Sequence, residues 1–171
     1  MKKLLLLLAS FALIASTYAG PPEFSEAAPE SVNEQLFLTN ELQVDLFTAL
    51  NVDTDEYSTG AGVTQFLYSI NGIGIGIGGD VTFTEGGEWS SGASIVARKP
   101  LEEYGAAPFV YGGGGWVDTQ TFDIDNIGWH VGGGIDIRVQ SLPIMFVDYR
   151  YSFLANDTED QSLRVGVRYL F

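Results

Sequence analysis

The chain has 171 residues but no cysteine, one histidine, and only eight basic residues against 22 acidic ones. Each shortage removes a class of explanation. Without cysteine there are no disulfides and no thiolate ligands. A lone histidine, His130, cannot supply the several nitrogen or sulfur ligands that a zinc centre wants. A formal net charge of −14 lacks the clustered Lys and Arg that neutralise phosphates, so nucleic acid is excluded as a partner. Long apolar runs are also scarce. The only one, Leu4 to Ala15, is too short to cross a bilayer as a helix.

What is there begins with MKKLLLLLASFALIASTYAG. A basic start at Lys2 and Lys3, the apolar run, and Thr17-Tyr18-Ala19 form a secretory signal peptide, residues 1–19. Residues 20–33, GPPEFSEAAPESVN, have no periodicity and read as a flexible acidic tail. Removal of Lys2 and Lys3 leaves six basic residues against 22 acidic, a net charge of −16. Such charge often means disorder, but 13% aromatic residues argue for a folded chain.

From residue 34 to 171 the pattern has a period of two. Apolar and polar residues alternate over segments of about ten residues, separated by turn chemistry, which is the signature of a transmembrane β-barrel. Eight strands are expected, near Asn40–Val52, Thr59–Ile70, Ile73–Thr84, Trp89–Arg98, Ala107–Val117, Ile127–Val139, Ile144–Phe153 and the final RVGVRYLF, Arg164–Phe171. In the second, Phe66 and Tyr68 are expected to face outward. The faces of the fifth cannot be assigned. Asn71-Gly72 is a tight-turn signal. The fold class is therefore all-β, an eight-stranded antiparallel up-and-down transmembrane barrel.

Charge follows the same alternation. Arg98, Arg138, Arg150, Arg164 and Arg168 all lie opposite the aliphatic face of their strands. An arginine facing lipid near the midplane costs about 2–4 kcal/mol, so these five are expected to point into the lumen. Glu41, Asp45, Asp80, Asp136 and Asp148 fall on the same face, and buried charges need partners. Two registers follow. Asp136 opposite Arg150 and Arg138 opposite Asp148 would pair strands six and seven. Arg168 with Glu41 and Arg164 with Asp45 would close the barrel between its first and last strands. The connections after strands one, three, five and seven (53–58, 85–88, 118–126 and 156–161) hold 11 of the 22 acidic residues and no Lys or Arg. Solvated loop charge is the default for them, with divalent-cation bridging to lipopolysaccharide a weaker expectation.

Two motifs invite chemical readings that their context removes. Gly74–Gly79, GIGIGG, matches a dinucleotide fingerprint, but that motif needs a helix whose N-terminus holds the pyrophosphate. Here Asp80–Thr84 continues a strand, and glycine there serves curvature and lumen space. The alternating Asp136/Arg138 and Asp148/Arg150 read as ion pairs and not as acid–base dyads. No catalytic, metal or cofactor residue is assigned.

The terminal RVGVRYLF resembles the C-terminal insertion signal of outer-membrane barrels, with Gly166, Tyr169 and Phe171 at its characteristic positions. PFVYGGGGW and WHVGGGIDIR are similar to strands five and six of the small opacity-type, porin-like family that includes the barrel of outer membrane protein A. The resemblance covers about Glu34 to Phe171. It implies location in the bacterial outer membrane with both termini periplasmic, contact with lipid and lipopolysaccharide, and delivery by periplasmic chaperones to the barrel-assembly machinery. Some small barrels deacylate lipid A through a His-x-Ser pair, but position 132 here is Gly. The expected role is non-enzymatic, structural or surface-interacting, with a polar plugged lumen. The alternatives are a narrow pore and an adhesin, the latter disfavoured by short loops. If the terminal aromatic face docks the insertion machinery, Phe171→Asp will reduce the amount of folded barrel in the outer membrane, measured by fractionation and heat-modifiable gel migration.

Overall fold

Alternation of this kind satisfies backbone hydrogen bonds in a bilayer only if the sheet closes on itself, and it does. In a computed structural model the described residues are 41–84, 87–118, 127–138, 142–154 and 159–171. The expected signal peptide and acidic tail, and parts of several connections, lie outside them. Among the described residues the strands are β1 (Leu42–Asn51), β2 (Tyr57–Ile70), β3 (Ile73–Thr84), β4 (Trp89–Arg98), β5 (Ala106–Asp118), β6 (Ile127–Ile137), β7 (Ile144–Leu154) and β8 (Glu159–Leu170). A single 3-10 turn, Glu102–Tyr104, precedes β5. Each strand pairs antiparallel with the next, and β8 returns to β1, giving a closed barrel. β2 and β8 begin earlier than expected, so Tyr57, Ser58 and residues 159–161 belong to strands and not to connections.

The register sets the barrel's width. Ladder partners followed once round run from Leu42 through Gln65, Ile77, Ile95, Gly112, Val131, Tyr151 and Gln161 to Val52, ten residues along β1 from the start. Eight strands with this stagger tilt about 40° from the axis and give a backbone radius of about 8 Å. That interior is just wide enough for side chains from opposite walls to meet.

The two faces are opposite in chemistry. Outside stand Val63, Ile77, Ile95, Val110, Val131 and Phe153, all exposed. Inside, Gln43, Asp45, Arg98, His130, Asp136, Asp148, Arg164 and Arg168 are buried together with Phe47, Phe66, Phe109, Tyr111 and Phe146. Phe66 corrects the expectation for β2. Pairing with β3 shifts between Phe66 and Tyr68, and this bulge inserts one residue. Phe66 therefore turns inward while Tyr68 stays outside. In β5 Ala107, Phe109 and Tyr111 face inward, followed on the same face by Gly113 and Gly115.

Glycine placement makes so crowded an interior possible. Phe47 has Gly60 and Gly166 as its lateral partners, and Tyr111 has Gly132. A Cβ at Gly60 would collide with the Phe47 ring and lie 2.6 Å from the Val81 carbonyl oxygen. Gly132 likewise lies under the Tyr111 hydroxyl. Large inward side chains thus lean over inward glycines, a checkerboard that keeps a narrow barrel from overpacking. The Asn71-Gly72 connection has positive φ at both residues, 51° and 75°, as the favoured two-residue hairpin turn requires. Gly132→Val should destabilise the barrel by about 1–3 kcal/mol, read as a lower urea midpoint for loss of heat-modifiable migration, whereas outward Val131→Ile should leave it unchanged.

Candidate functional site: the charged lumen

Two tiers of ion pairs fill the lumen. In the tier nearer the chain's C-terminal end, Arg168 on β8 forks onto Asp45 of β1, with Nε–Oδ1 at 2.6 Å and Nη2–Oδ2 at 3.0 Å. Its Nη1 donates to Asp136 of β6 at 2.5 Å. Arg98 on β4 reaches Glu41 at 3.2 Å and Asp136 at 3.7 Å, and Gln43 donates to Glu41 at 2.5 Å. Four strands, β1, β4, β6 and β8, are tied by this one cluster.

The second tier lies toward the β7–β8 connection. Arg164 donates through Nε and Nη2 to Asp148 of β7 at 2.8 and 3.0 Å. It also donates to the Tyr111 hydroxyl at 2.7 Å, which itself donates to Asp148 at 2.9 Å. Asp80 on β3 accepts from Arg150 at 2.9 Å and lies 3.7 Å from Arg164. Bidentate, charge-assisted geometry of this kind is the strong form of the hydrogen bond. It is what offsets the desolvation of each arginine.

Aromatic rings complete the packing. Arg168 lies 4.6 Å from the Phe146 centroid and 5.0 Å from that of Phe109. Arg164 lies between Phe47 and Tyr111 at 5.0 and 5.1 Å, and Arg98 stacks over Phe66 at 3.9 Å. Guanidinium groups are weakly hydrated and planar, so ring faces suit them where water is excluded.

Nine of the ten charged residues read from the sequence line this lumen. Arg138 is the exception. β6 ends at Ile137, and Arg138 stands exposed beyond it, its backbone N–H donating to the Gly105 carbonyl at 2.8 Å. Both expected registers are displaced by four residues. Asp148 and Arg150 lie opposite Gly134 and Gly132, not Arg138 and Asp136. At these two positions the glycines of β6 leave room for the charged side chains of β7. At the seam Asp45 pairs with Arg168, and Arg164 lies opposite Ala49. Glu41 lies past the last β8 partner and uses Arg98 across the lumen instead. The sequence pattern also missed Phe47, Phe66, Phe109, Tyr111 and Phe146. An inward aromatic looks the same in sequence as an outward one.

His130 meets Ser94 at 2.7 Å, Nε2 to Oγ. The two lie two strands apart, with Gly113 between them in the same ladder row. The missing side chain lets them touch. Ser94 borders a mid-lumen void of about 40 Å³ whose wall also includes Gln43, Asp45, Asp80 and Tyr111. That space suits ordered water and not an acyl substrate. A wider cavity of about 300 Å³ opens toward the connections after β1, β3 and β7, between Asn51, Glu88, Asp160 and the Arg150 floor. At its rim Asn51 bonds Asp160 and, through its side-chain oxygen, accepts from the N–H groups of Asp53 and Thr54 at 2.8 and 2.9 Å.

Removal of one charge from the first tier should be expensive, because it strands buried partners. Arg168→Met should cost about 3–5 kcal/mol of unfolding free energy by urea titration in micelles. Adding Asp45→Leu and Asp136→Leu should restore part of that loss.

No protein-family model matches this chain, and no curated protein does. Solved structures do. A de novo designed transmembrane β-barrel matches with a TM-score of 0.60 at 15% identity, covering 79% of this chain and 98% of the other. Neisserial surface protein A (NspA) matches with a TM-score of 0.52 at 18% identity, over 77% and 96%. The N-terminal β-barrel domain of Pseudomonas aeruginosa OprF matches with a TM-score of 0.53 at 10% identity, over 77% and 98%. At these identities the likeness is one of fold. Closed by eight antiparallel strands, apolar without and ion-paired within, the chain has the fold of the small outer-membrane β-barrels.

Proposed function

We propose that this chain is a non-enzymatic integral barrel of the bacterial outer membrane, with a plugged lumen and a structural or surface-interaction role in the envelope. The observation that carries this reading is the ion-paired lumen. Arg98, Arg150, Arg164 and Arg168 each meet a carboxylate, three of them also lie over aromatic rings, and the mid-lumen void is of water size. Investment of so many charges inside a narrow barrel supports a rigid stave and not a conduit. The Ser94–His130 contact does not argue for hydrolysis. Ser94 faces the 40 Å³ void although His130 also borders the wider cavity, and Asp80, a carboxylate of the same tier, is engaged by two arginines.

Orientation follows from the asymmetry of the connections. The acidic, lysine- and arginine-free set lies at one end, and we place that end outside the cell with both termini in the periplasm. Carboxylates such as Glu56, Glu88 and Glu159 would then face lipopolysaccharide, which divalent cations can bridge. Assembly would use periplasmic chaperones and the barrel-assembly machinery, with Gly166, Tyr169 and Phe171 as the insertion signal. In planar bilayers the purified barrel should give no steady, reproducible conductance. Such a conductance would replace the plugged reading with a narrow pore.

A further inference from the structure

The lumen is not filled evenly along its length. Through the ion-pair tiers large side chains lean over glycines, as Phe47 does over Gly60. From the next inward row of β1 onward the lining shrinks. Ala49 pairs with Ser58, Ser58 with Thr84, Thr82 with Ser90, Ser152 with Asp160 and Ser162 with Arg150. Cross-strand partners share a face, so the hydroxyls of Ser58, Thr82, Thr84, Ser90, Ser152 and Ser162 turn into the cavity of about 300 Å³. Bulk is thus withdrawn where a lumen built only to be plugged would carry it. The space equals about ten water volumes and matches the smaller sites that hold small molecules, about 300 Å³.

We propose that this cavity binds a neutral sugar ring, such as the terminal residue of a glycan outside the cell. The source of the sugar rests on the orientation proposed above, whereas the binding does not. The charges disfavour ionic guests. Glu56 and Glu88 stand exposed at the mouth and turn anions away. A cation admitted past them would meet Arg150 and Arg164 at the floor. Those arginines are paired with Asp80 and Asp148, and Asp160, a carboxylate of the wall, bonds Asn51. Between them the lining is hydroxyl, and each hydroxyl can donate and accept. A guest that does both all round its perimeter matches such a wall. Asp160 and Arg150 are planar groups with side-by-side acceptors and donors, a form suited to adjacent hydroxyls of one ring.

The test is ligand-observed saturation-transfer NMR on the full barrel in sugar-free dodecylphosphocholine micelles. Methyl glucoside, methyl galactoside and N-acetylglucosamine serve as neutral probes, with glucuronic acid and glucosamine as charged rings of similar size. At least one neutral probe should receive saturation, and the charged rings at least fivefold less. Ser90→Leu with Ser152→Leu, which fills the cavity, should abolish the transfer in a barrel that still shows heat-modifiable migration. Ser90→Ala with Ser152→Ala, which keeps the space but removes two hydroxyls, should reduce it in part, and outward Val131→Ile should not change it. Transfer to none of the neutral probes, equal transfer in the filled variant, or preference for a charged ring would overturn the site. Each of these outcomes leaves the membrane reading intact, because binding in micelles is independent of which way the barrel faces.

Discussion

Eight strands closed with a stagger of ten residues enclose a space that two side chains can bridge from opposite walls, and the remaining features answer to that width. With the outer face apolar, the polar groups stand inward. The narrow bore then denies those groups a column of water. Each inward charge must find its counterion within a few ångströms, on the adjacent strand or straight across. Arg168 does both, taking Asp45 beside it and Asp136 from another wall.

The same width explains the glycines. Aromatic and charged side chains cannot all stand side by side on a tightly curved wall, so a large residue is commonly flanked by glycine. Asp45 beside Arg168 and Asp148 beside Arg164 are large pairs tolerated in contact because opposite charges attract. These two contacts between large neighbours are ion pairs, and both tie β8 to an adjacent strand.

Much of this was legible in the sequence. Strand number, most strand limits and the inward face of Arg98, Arg164 and Arg168 follow from a period of two and the cost of charge in lipid. The register does not follow. Charge pairing alone favours Arg164 with Asp45, but the wall also has to seat Phe47 over Gly166, and sterics moved the seam by four residues. Phe66 was misplaced because a bulge leaves no mark in the alternation. Arg138 was misplaced because its strand ends one residue earlier, and beyond the ladder parity loses its meaning. The lumen's aromatic layer was invisible for a simpler reason: Phe109, Val110 and Tyr111 are all apolar, so hydrophobicity cannot say which of them faces in.

The two tiers also differ in when they can form. Asp148 and Arg164 are 16 residues apart on one hairpin, so that pair is available as soon as β7 and β8 meet. Asp45 and Arg168 are separated by 123 residues and can meet only when the sheet has curled fully round. A pair that needs the closed barrel, if absent from the folding transition state, slows unfolding more than it speeds folding. Beyond filling space, the Arg168 cluster works as a latch on the closed barrel, holding its first and last strands together.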